Sequence, residues 1–536
     1  MRGLIGFSGF VGQHLLEQTN FNCIYRSSNI SNIRGKVFDI LVCAGVPAVK
    51  WLANAKPEED MLALEELIEH LRSTRARRFI LVSTIDVYAN TSSEQSEDLM
   101  TDEPSHPYGK HRLWFEERVK EIFEVHHIAR LPALFGRYMK KNYLFDLLHN
   151  RKEFIEKIDF HSSFQWYNME NLWKDVCLAI ENSLSVVNLF TQPLQTRTLI
   201  EEVFPNCMHM CNDDSQRTST ALSYNVCTKH AKIWGSSDRY IKSSLAVLEE
   251  IKIFVRDYRP QIQPKRLCVS NIAWDETDHD SVLQFLEMKG ISNIEVAPTK
   301  ILASWEQCDK FHAAEAIRSK LPRFRVESLQ SVLFNTEGLE LFGTESVRAV
   351  LEAHCKRVVD LASNLGAHVV VWGSPKQRLM HGKPSDECFQ IAVKFFKSIG
   401  DYAHSKHVVI GFEPNARAYG CDFCYSAAQA ATLVRATGSA GFRLHLDAAN
   451  MHLENDDFAS TVRDNRDILC HVQVSEPFLS GFDTPQVRHD AFAAQLKDAK
   501  YGGAVSIEMR KGNETLLSIA RAVAYTVNTY YDLLST

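Results

Sequence analysis

Four short hydrophobic runs in the second half of the chain each lead to a side chain that could bind a metal ion through oxygen. The four residues are Glu413, Asp447, Gln473 and Glu508. Runs of this kind predict buried parallel strands, and the strands of an α/β barrel present their carboxyl ends at one face. Three carboxylates gathered there repel one another unless a cation lies between them. The pattern therefore predicts a divalent metal site, and its all-oxygen ligand set favours Mn²⁺, Mg²⁺ or Co²⁺ over Zn²⁺.

Other polar side chains lie near predicted strand ends of the same half and are candidates for contacting a substrate. They are Glu295, Lys376, Arg378 and His445. Lys376 and Arg378 follow the turn at 373–375 and could bind an anionic group or belong to a solvated loop. His445 precedes Asp447 by two residues and shares its strand face, which is equally compatible with a hydrogen-bonded histidine in the interior.

The amino terminus carries a glycine pattern that suits a nucleotide. A short strand is followed by Gly6, Gly9 and Gly12 and then by the start of an amphipathic helix. Such a turn lets the backbone approach a pyrophosphate at a helix N-terminus. The next strand ends at Arg26, where an acidic residue would bind the ribose hydroxyls of NAD. An arginine there could hold a 2′-phosphate, so we expect NAD or NADP, with NADP favoured; an ordinary surface arginine is the alternative.

Length and composition predict a globular protein with two domains. A chain of 536 residues is too long to fold around a single hydrophobic core. Its composition, with 45% hydrophobic and 24% charged residues, is ordinary for a globular protein. No apolar run reaches the ~18 residues that span a membrane, and the chain leads straight into the glycine pattern, without a signal peptide. Thirteen cysteines suggest reduced thiols in a cytoplasmic protein. A net charge of −6 without a basic cluster argues against nucleic acid as a partner.

The alternation of predicted strands and helices indicates two successive α/β folds. Residues 1–257 are predicted to form a Rossmann-type, doubly wound parallel sheet that binds NAD(P). Residues 258–264 contain two prolines and form the predicted linker. Residues 265–536 offer eight strands and about eight helices, which is the size of a closed (β/α)8 TIM barrel with its sites at the carboxyl ends of the strands.

The first half resembles the extended short-chain dehydrogenase/reductase family of sugar-nucleotide epimerases and dehydratases. The resemblance covers roughly residues 1–245 and rests on the glycine pattern and on Tyr108-Gly-Lys-His-Arg112. It implies that the three glycines hold the cofactor, that Thr84 is the active-site hydroxyl and that Tyr108 is the acid/base residue. The family has Tyr-x-x-x-Lys, whereas Arg112 takes the lysine position here. An arginine can supply charge to the tyrosine but binds ribose hydroxyls with a different geometry.

The second half resembles the sugar-phosphate isomerase/epimerase family, whose barrels are shaped like that of xylose isomerase. The resemblance covers the predicted barrel and rests on the four strand ends together. It implies that Glu413, Asp447 and Glu508 bind the metal, and that Glu413 and Glu508 also transfer the proton. The family's remaining ligand is the second histidine of a His-x-His pair. Here the pair is His471-Val-Gln473, so an amide oxygen takes its place.

Together these features predict a bifunctional sugar-modifying enzyme. Its first half would carry out nicotinamide-dependent chemistry on a sugar or sugar nucleotide, and its barrel would isomerise, epimerise or dehydrate a sugar or sugar phosphate through an enediolate. In the alternative, the barrel is the only enzyme and the first half is a non-catalytic nucleotide-binding or regulatory module. The presence of Arg112 at the position of the family's catalytic lysine favours this alternative. A DNA-repair endonuclease of the same barrel fold would need a histidine-rich three-zinc cluster, and the oxygen-rich strand ends and negative charge count against it.

Overall fold

The computed structural model describes residues 1–98, 103–211, 221–302, 304–305 and 310–535. These residues form two compact units, Met1–Gln261 and Ile262–Thr536. The division falls within the predicted linker at 258–264. No helix in the described ranges has both the length and the apolar character needed to cross a membrane.

The first unit contains ten strands and nine α-helices within the described residues. The strands are Arg2–Ile5 (β1), Cys23–Tyr25 (β2), Val37–Cys43 (β3), Arg75–Thr84 (β4), His126–Leu131 (β5), Ala133–Phe135 (β6), Ser163–Phe164 (β7), Trp166–Asn168 (β8), Val186–Asn188 (β9) and Leu194–Gln195 (β10). The helices are Phe10–Gln18 (α1), Lys50–Ala55 (α2), Pro57–Arg72 (α3), Pro107–Ile122 (α4), Tyr143–Leu148 (α5), Lys152–Ile155 (α6), Leu172–Glu181 (α7), Thr196–Val203 (α8) and Ser244–Asp257 (α9).

Six of these strands form one parallel sheet in the order β2-β1-β3-β4-β5-β9. The order reverses at the boundary of β1 and β3, which opens a crevice at the carboxyl ends of the strands. The usual Rossmann order, 3-2-1-4-5-6, has a further strand outside the position of β2. The parallel α/β sheet is therefore observed, and its assignment to the Rossmann type stays a prediction.

The second unit confirms the predicted TIM barrel. Its eight strands are Leu267–Ser270 (β11), Asn293–Val296 (β12), Arg325–Leu329 (β13), Val369–Trp372 (β14), Val409–Phe412 (β15), Phe442–Asp447 (β16), Leu469–Ser475 (β17) and Val505–Glu508 (β18), and they close in chain order. Its helices are His279–Met288 (α10), Lys310–Lys320 (α11), Glu345–Leu365 (α12), Ser385–Ser405 (α13), Ala427–Thr437 (α14), Ala448–Glu454 (α15), Phe458–Asn465 (α16), His489–Asp498 (α17), Thr515–Thr529 (α18) and Tyr531–Leu534 (α19).

Helix α13 shows how the sequence builds the wall behind the predicted site. Apolar residues recur at intervals of three and four along it, and this stripe is buried. Phe396 stacks on Phe442 of β16 at 4.5 Å between ring centroids and meets Phe412 of β15 and Trp372 of β14 edge-on. Each such buried ring contributes about 1.5–3 kcal/mol of transfer free energy. The ends of these strands are thus held against a rigid aromatic layer.

Candidate active site

Three acidic side chains meet at the carboxyl ends of the barrel strands. Glu413 directly follows β15, Asp447 ends β16 and Glu508 ends β18. Desolvation within the barrel mouth and the charge of Asp447 raise the pKa of Glu413 to about 8, and burial raises the pKa of Asp447 to about 6. Desolvation and the charges of Glu413 and Asp447 raise the pKa of Glu508 well above its ordinary value. The acids therefore lie close enough to disfavour one another's ionisation.

Two amide side chains hold the Glu413 carboxylate, and a buried arginine holds the Glu413 backbone and one of these amides. Its Oε1 atom accepts hydrogen bonds from Asn415 Nδ2 at 2.9 Å and from Asn450 Nδ2 at 2.8 Å. Arg378 is fully buried and donates to the Glu413 backbone oxygen at 2.9 Å and to Asn415 Oδ1 at 2.8 Å. Its positive charge opposes the rise in the pKa of Glu413 that desolvation causes. Arg378, a predicted substrate contact, thus lies behind the acid with its donors engaged within the protein.

The second carboxylate oxygen of Glu413 faces a glycine. A Cβ atom added to Gly373 would lie well inside van der Waals contact of Glu413 Oε2, and the backbone of Gly373 is not in the left-handed region. We expect Gly373→Ala to displace the carboxylate and to lower turnover at this site about 10²-fold, because a displacement of about 1 Å can cost that much. Turnover and melting temperature would be measured beside Gly502→Ala, whose added Cβ meets no atom within 4 Å. Equal turnover in the two variants would contradict this expectation.

Asp447 joins strand β16 to helix α15. Its Oδ1 atom accepts the backbone N–H of Asn450 at 2.7 Å, so the side chain caps the helix N-terminus. Ser475 Oγ donates a hydrogen bond to Oδ2. Both carboxylate oxygens are therefore engaged with the polypeptide, and the residue is buried.

Four side chains lie in polar contact inside the barrel, and we call Glu295, His445, His471 and Gln473 the interior ring. Three hydrogen bonds link them, and among the described residues His471 Nε2 has no hydrogen-bond partner. Gln473 Nε2 donates to Glu295 Oε1 at 2.8 Å, and Gln473 Oε1 lies 3.0 Å from His445 Nε2. The Nδ1 atoms of the two histidines are 3.1 Å apart, and His471 Nε2 lies 3.6 Å from Glu295 Oε2. No member is more than 1% exposed. Glu295 also accepts a hydrogen bond from Ser328 Oγ at 2.8 Å.

These contacts determine which ring nitrogens carry hydrogen. Because the Gln473 amide nitrogen donates to Glu295, its oxygen faces His445, whose Nε2 must therefore donate. His445 Nδ1 is then an acceptor, and His471 donates to it from Nδ1. Burial and the neighbouring His471 lower the pKa of His445 well below its ordinary value, and burial lowers the pKa of His471 to about 4. Both rings are accordingly neutral near pH 7, with one hydrogen each.

Strand register explains why Gln473 belongs to the interior ring. Gln473 pairs with Ser506 of β18, and Ser475 pairs with Glu508. Because inward-facing side chains repeat every two residues, Gln473 lies one layer deeper than Glu508. Its amide therefore reaches the interior ring, where it contacts Glu295 and His445.

The interior ring makes Gln473 important for stability. Gln473→Leu keeps most of the side-chain volume but removes the Gln473 partner of two buried atoms, Glu295 Oε1 and His445 Nε2. We expect the free energy of unfolding to fall by about 3 kcal/mol or more, because an unsatisfied buried group, and a carboxyl group above all, retains its full desolvation cost. Urea unfolding would be compared with that of Gln390→Leu, which changes an exposed glutamine of α13 in the same unit. A loss below 1 kcal/mol would contradict the prediction.

Apart from Arg378, which lies behind Glu413, the predicted site residues of the barrel lie in three places. Glu413, Asp447 and Glu508 lie together at the mouth, Glu295, His445 and Gln473 lie in the interior ring, and Lys376 is exposed on the loop after β14. Their roles as metal ligands, proton-transfer groups and substrate contacts stay predictions.

Three polar residues that hold the acids were not singled out from the sequence. They are Asn415, Asn450 and Ser475. A local signal exists for the two asparagines, because each follows a predicted acid by two or three residues, and asparagine at the third position of a helix after an aspartate suits a capping turn. Ser475 could have been found from the alternation of inward residues after Gln473.

The chemistry of these donors suits a divalent cation. Mg²⁺ and Mn²⁺ prefer carboxylate and amide oxygens, and such an ion would relieve the repulsion among the three acids. Across the part of the chain that the structure describes, no three His, Cys, Asp or Glu side chains are already arranged to hold an ion. Glu413 and Asp447 turn oxygens toward protein donors instead. An ion at this site would compete with these hydrogen bonds or use the remaining lone pairs of the same carboxylates.

In the first unit, the predicted glycine turn is closely packed. Gly6 has a φ of 85°, and added Cβ atoms at Gly6 and Gly12 would collide with the backbone of Gly45 and of Gly6, respectively. Gly9 stands at the N-terminus of α1. Arg26 follows β2, and its Nε donates to Ser28 Oγ at 3.0 Å. The turn thus requires glycine for its own packing, and its role in binding NAD or NADP stays a prediction.

Arg112, at the position of the family's lysine, has a partner of its own. It forms a two-point ion pair with Asp60, at 2.8 and 2.9 Å, and its guanidinium carbon lies 4.4 Å from the centre of the Tyr108 ring. Burial raises the pKa of Tyr108, while the charge of Arg112 and a hydrogen bond with Thr84 oppose the rise. The three predicted catalytic residues of this unit are therefore neighbours, but Tyr108 is not an activated acid/base group as it stands.

Comparison with known proteins supports the barrel. Residues 290–526 match the family described as xylose isomerase-like TIM barrel, which confirms that part of the predicted resemblance. The match lies wholly within the second unit, and no curated protein matches the chain. The assignment of the first half to the short-chain dehydrogenase/reductase family stays a prediction.

Several solved structures are similar to half of the chain. They include 3-keto-D-glucoside 4-epimerase from E. coli in its apo form (15% identity, 49% of this chain and 98% of that chain, TM-score 0.42), D-psicose 3-epimerase in the presence of D-fructose (16%, 49% and 99%, 0.42) and D-allulose 3-epimerase from Methylomonas sp. in complex with D-allulose (17%, 51% and 98%, 0.41).

Proposed function

We propose that the second unit is a sugar isomerase or epimerase that moves a proton to and from a hydroxyl-bearing carbon next to a carbonyl group. The observation that carries this proposal is the set of three acids at the ends of β15, β16 and β18, two of them partly exposed and one buried. A xylose isomerase-like barrel over residues 290–526 supports it as well.

A divalent cation would be held by Glu413, Asp447 and Glu508, with Gln473 as the further predicted donor. Mn²⁺, Mg²⁺ or Co²⁺ suits these oxygens better than Zn²⁺. When bound, such an ion would supply electrostatic stabilisation of an enediolate. Asp447 is tied to helix α15 and to Ser475, so its part is to fix the position of the charge rather than to move a proton.

Glu413 and Glu508 would take and return the proton. Each is partly exposed at the mouth; the pKa of Glu413 is raised to about 8, and that of Glu508 is raised well above its ordinary value. A carboxyl group whose pKa lies near the working pH can act both as base and as acid. Return of the proton to the same carbon on the other face gives epimerisation, and return to the neighbouring carbon gives isomerisation. Loss of a β-hydroxyl from the enediolate would instead give dehydration.

Metal content and solvent exchange together test this proposal. Wild type and the double variant Glu413→Gln/Asp447→Asn would be loaded with Mn²⁺, dialysed and measured by mass spectrometry. Free sugars and sugar phosphates would then be incubated with each protein in D₂O and examined by NMR for deuterium at carbon. We expect about one ion per chain and deuterium uptake in the wild type only. Wild-type protein that binds no ion and exchanges no proton would refute the proposal.

For the first unit we propose binding of NADP or NAD at Gly6, Gly9, Gly12 and Arg26, with oxidation or epimerisation of a sugar or sugar nucleotide as its activity. The chain would then be bifunctional. The ion pair of Arg112 with Asp60 favours the alternative, in which this unit binds a nucleotide without turnover. Formation of NADPH or NADH from the oxidised cofactor with any of a panel of sugars and sugar nucleotides would exclude the alternative. Binding of NADPH without turnover would support it.

We also propose that the protein acts in the cytoplasm. The twelve cysteines among the described residues are all free, which suits a reducing compartment.

A further inference from the structure

Exposed hydrophobic side chains of the second unit are concentrated at the face that holds the acids. Among its described residues, only three large hydrophobic side chains are exposed, namely Phe334 at 61%, Phe478 at 58% and Val350 at 57%. The two phenylalanines lie on loops that follow strands β13 and β17, whereas Val350 lies on helix α12. A single exposed hydrophobic residue is ordinary, but aromatic rings gathered at a functional face mark a place where something binds.

The two loops rise from opposite sides of the barrel mouth. Strands β13 and β17 are the third and the seventh of eight in the closed barrel, so they are four strands apart in either direction. Tyr419, on the loop after β15, packs edge-on against Phe478, with 5.4 Å between the ring centroids and 88° between the planes. We call Phe334, Tyr419 and Phe478 the aromatic rim.

The backbone around the aromatic rim is held in uncommon conformations. Phe478 and Leu479 have φ values of 58° and 55°, and Ser331 and Asn335, on either side of Phe334, have 53° and 59°. Left-handed backbone is rare for bulky residues, and such strain clusters at ligand clamps, where the surroundings maintain it. The left-handed conformation of Phe478 is stabilised by Tyr419, whose hydroxyl oxygen accepts a hydrogen bond from the Phe478 backbone N–H at 3.0 Å.

We infer that the aromatic rim binds a second ring attached to the reacting sugar, so that the preferred substrate class is a glycoside. This inference rests on the proposed sugar function of the same barrel. The acids and amides at the strand ends suit the hydroxyl groups of the reacting sugar. The aromatic rim lies on the loops beyond those ends and offers apolar ring faces to the part of the ligand that projects from the barrel.

The charges of this face agree better with a neutral substituent than with a phosphate. Phosphate binding calls for cations that are free to donate. Lys300 and Lys511, on the loops after β12 and β18, are both bound to Asp275, at 2.5 and 2.9 Å. Arg378 is buried behind Glu413. Lys376 and Arg510 are exposed on the loops after β14 and β18, so a phosphorylated sugar is the contrasting ligand for a test.

Calorimetric titration of the Mn²⁺-loaded protein would test the inference. D-glucose and D-galactose would each be offered as the free sugar, the phenyl β-glycoside and the 6-phosphate. We expect at least one phenyl glycoside to bind about tenfold more tightly than its parent sugar and its phosphate, since an aromatic ring contact is worth about that factor. Phe334→Ala/Phe478→Ala should lose the preference, and Val350→Ala, which removes the third exposed hydrophobic side chain, should keep it.

Each other outcome counts against the aromatic rim as a substrate clamp. Equal binding of free sugar and glycoside, tighter binding of the phosphate, no binding of any probe, or a preference that survives in the double variant would overturn the inference. So would a change of oligomeric state in the double variant, seen by sedimentation, because the rings would then contact protein. A retained glycoside preference in protein that shows no proton exchange would refute the proposed function and leave the rim as a binding site.

Discussion

Glu508→Gln is expected to slow deuterium uptake from solvent into the substrate by about 10³-fold or more. The amide keeps the shape of the side chain but cannot accept or return a proton, and a positioned acid/base group contributes about 10²–10⁴-fold. Loss of one of the three negative charges should also weaken ion binding, so the rate must be measured at saturating Mn²⁺. Under that condition the remaining loss reports proton transfer alone.

A matched control for this variant lies on the same face of the barrel. Glu337→Gln changes an exposed glutamate on the loop after β13 and should leave the rate of deuterium uptake unchanged. Calorimetry would establish that Glu508→Gln still binds the sugar. If this variant exchanged protons at the wild-type rate, Glu508 would have no acid/base role, and the proposed chemistry would need another base.

Protein stripped of divalent ions is expected to lose stability as the pH rises from about 4.5 to about 8. Glu413 has an ordinary pKa of 4.5 and a folded-state pKa of about 8, and for Asp447 the values are 3.8 and about 6. Between the unfolded and folded pKa values the folded state binds more protons than the unfolded state, so the free energy of unfolding decreases with pH. The total fall should amount to several kcal/mol.

Two comparisons separate this effect from others. Glu413→Gln removes one titrating group and its repulsion, so the variant should show a flatter dependence of the free energy of unfolding on pH. Added Mn²⁺ should restore stability most strongly near pH 8, because the deprotonated acids bind it best and a ligand of the folded state stabilises by mass action. Urea unfolding at several pH values would measure both. Stability that rises over this interval in ion-free protein would contradict the prediction.

Local sequence was enough to locate the acids of the barrel mouth. Glu413, Asp447 and Glu508 each follow or end a short hydrophobic strand. In a TIM barrel the carboxyl ends of all strands lie at one face, irrespective of the loop conformations. The periodic apolar stripe of helix α13, Ser385–Ser405, is a local pattern of the same kind. Both patterns are short in range, which is why they can be read along the chain.

The interior ring depends on pairings that no local pattern contains. Gln473 meets Glu295 across 178 residues of sequence, and the stagger of β17 against β18 sets its depth in the barrel. From the chain alone, Gln473 and Glu295 were therefore assigned to metal and substrate. Arg112 is a similar case, since its guanidinium group forms an ion pair with Asp60, which lies 52 residues earlier on another helix.

Asp447 has a second consequence through the helix that it caps. Its carboxylate ends β16 and also holds the first turn of α15 through the N–H of Asn450. If Asp447 turns toward an ion, that N–H loses its acceptor, and we then expect ion binding to favour fraying of this seven-residue helix. Amide hydrogen exchange at Asn450 would thus act as a built-in gauge of occupancy.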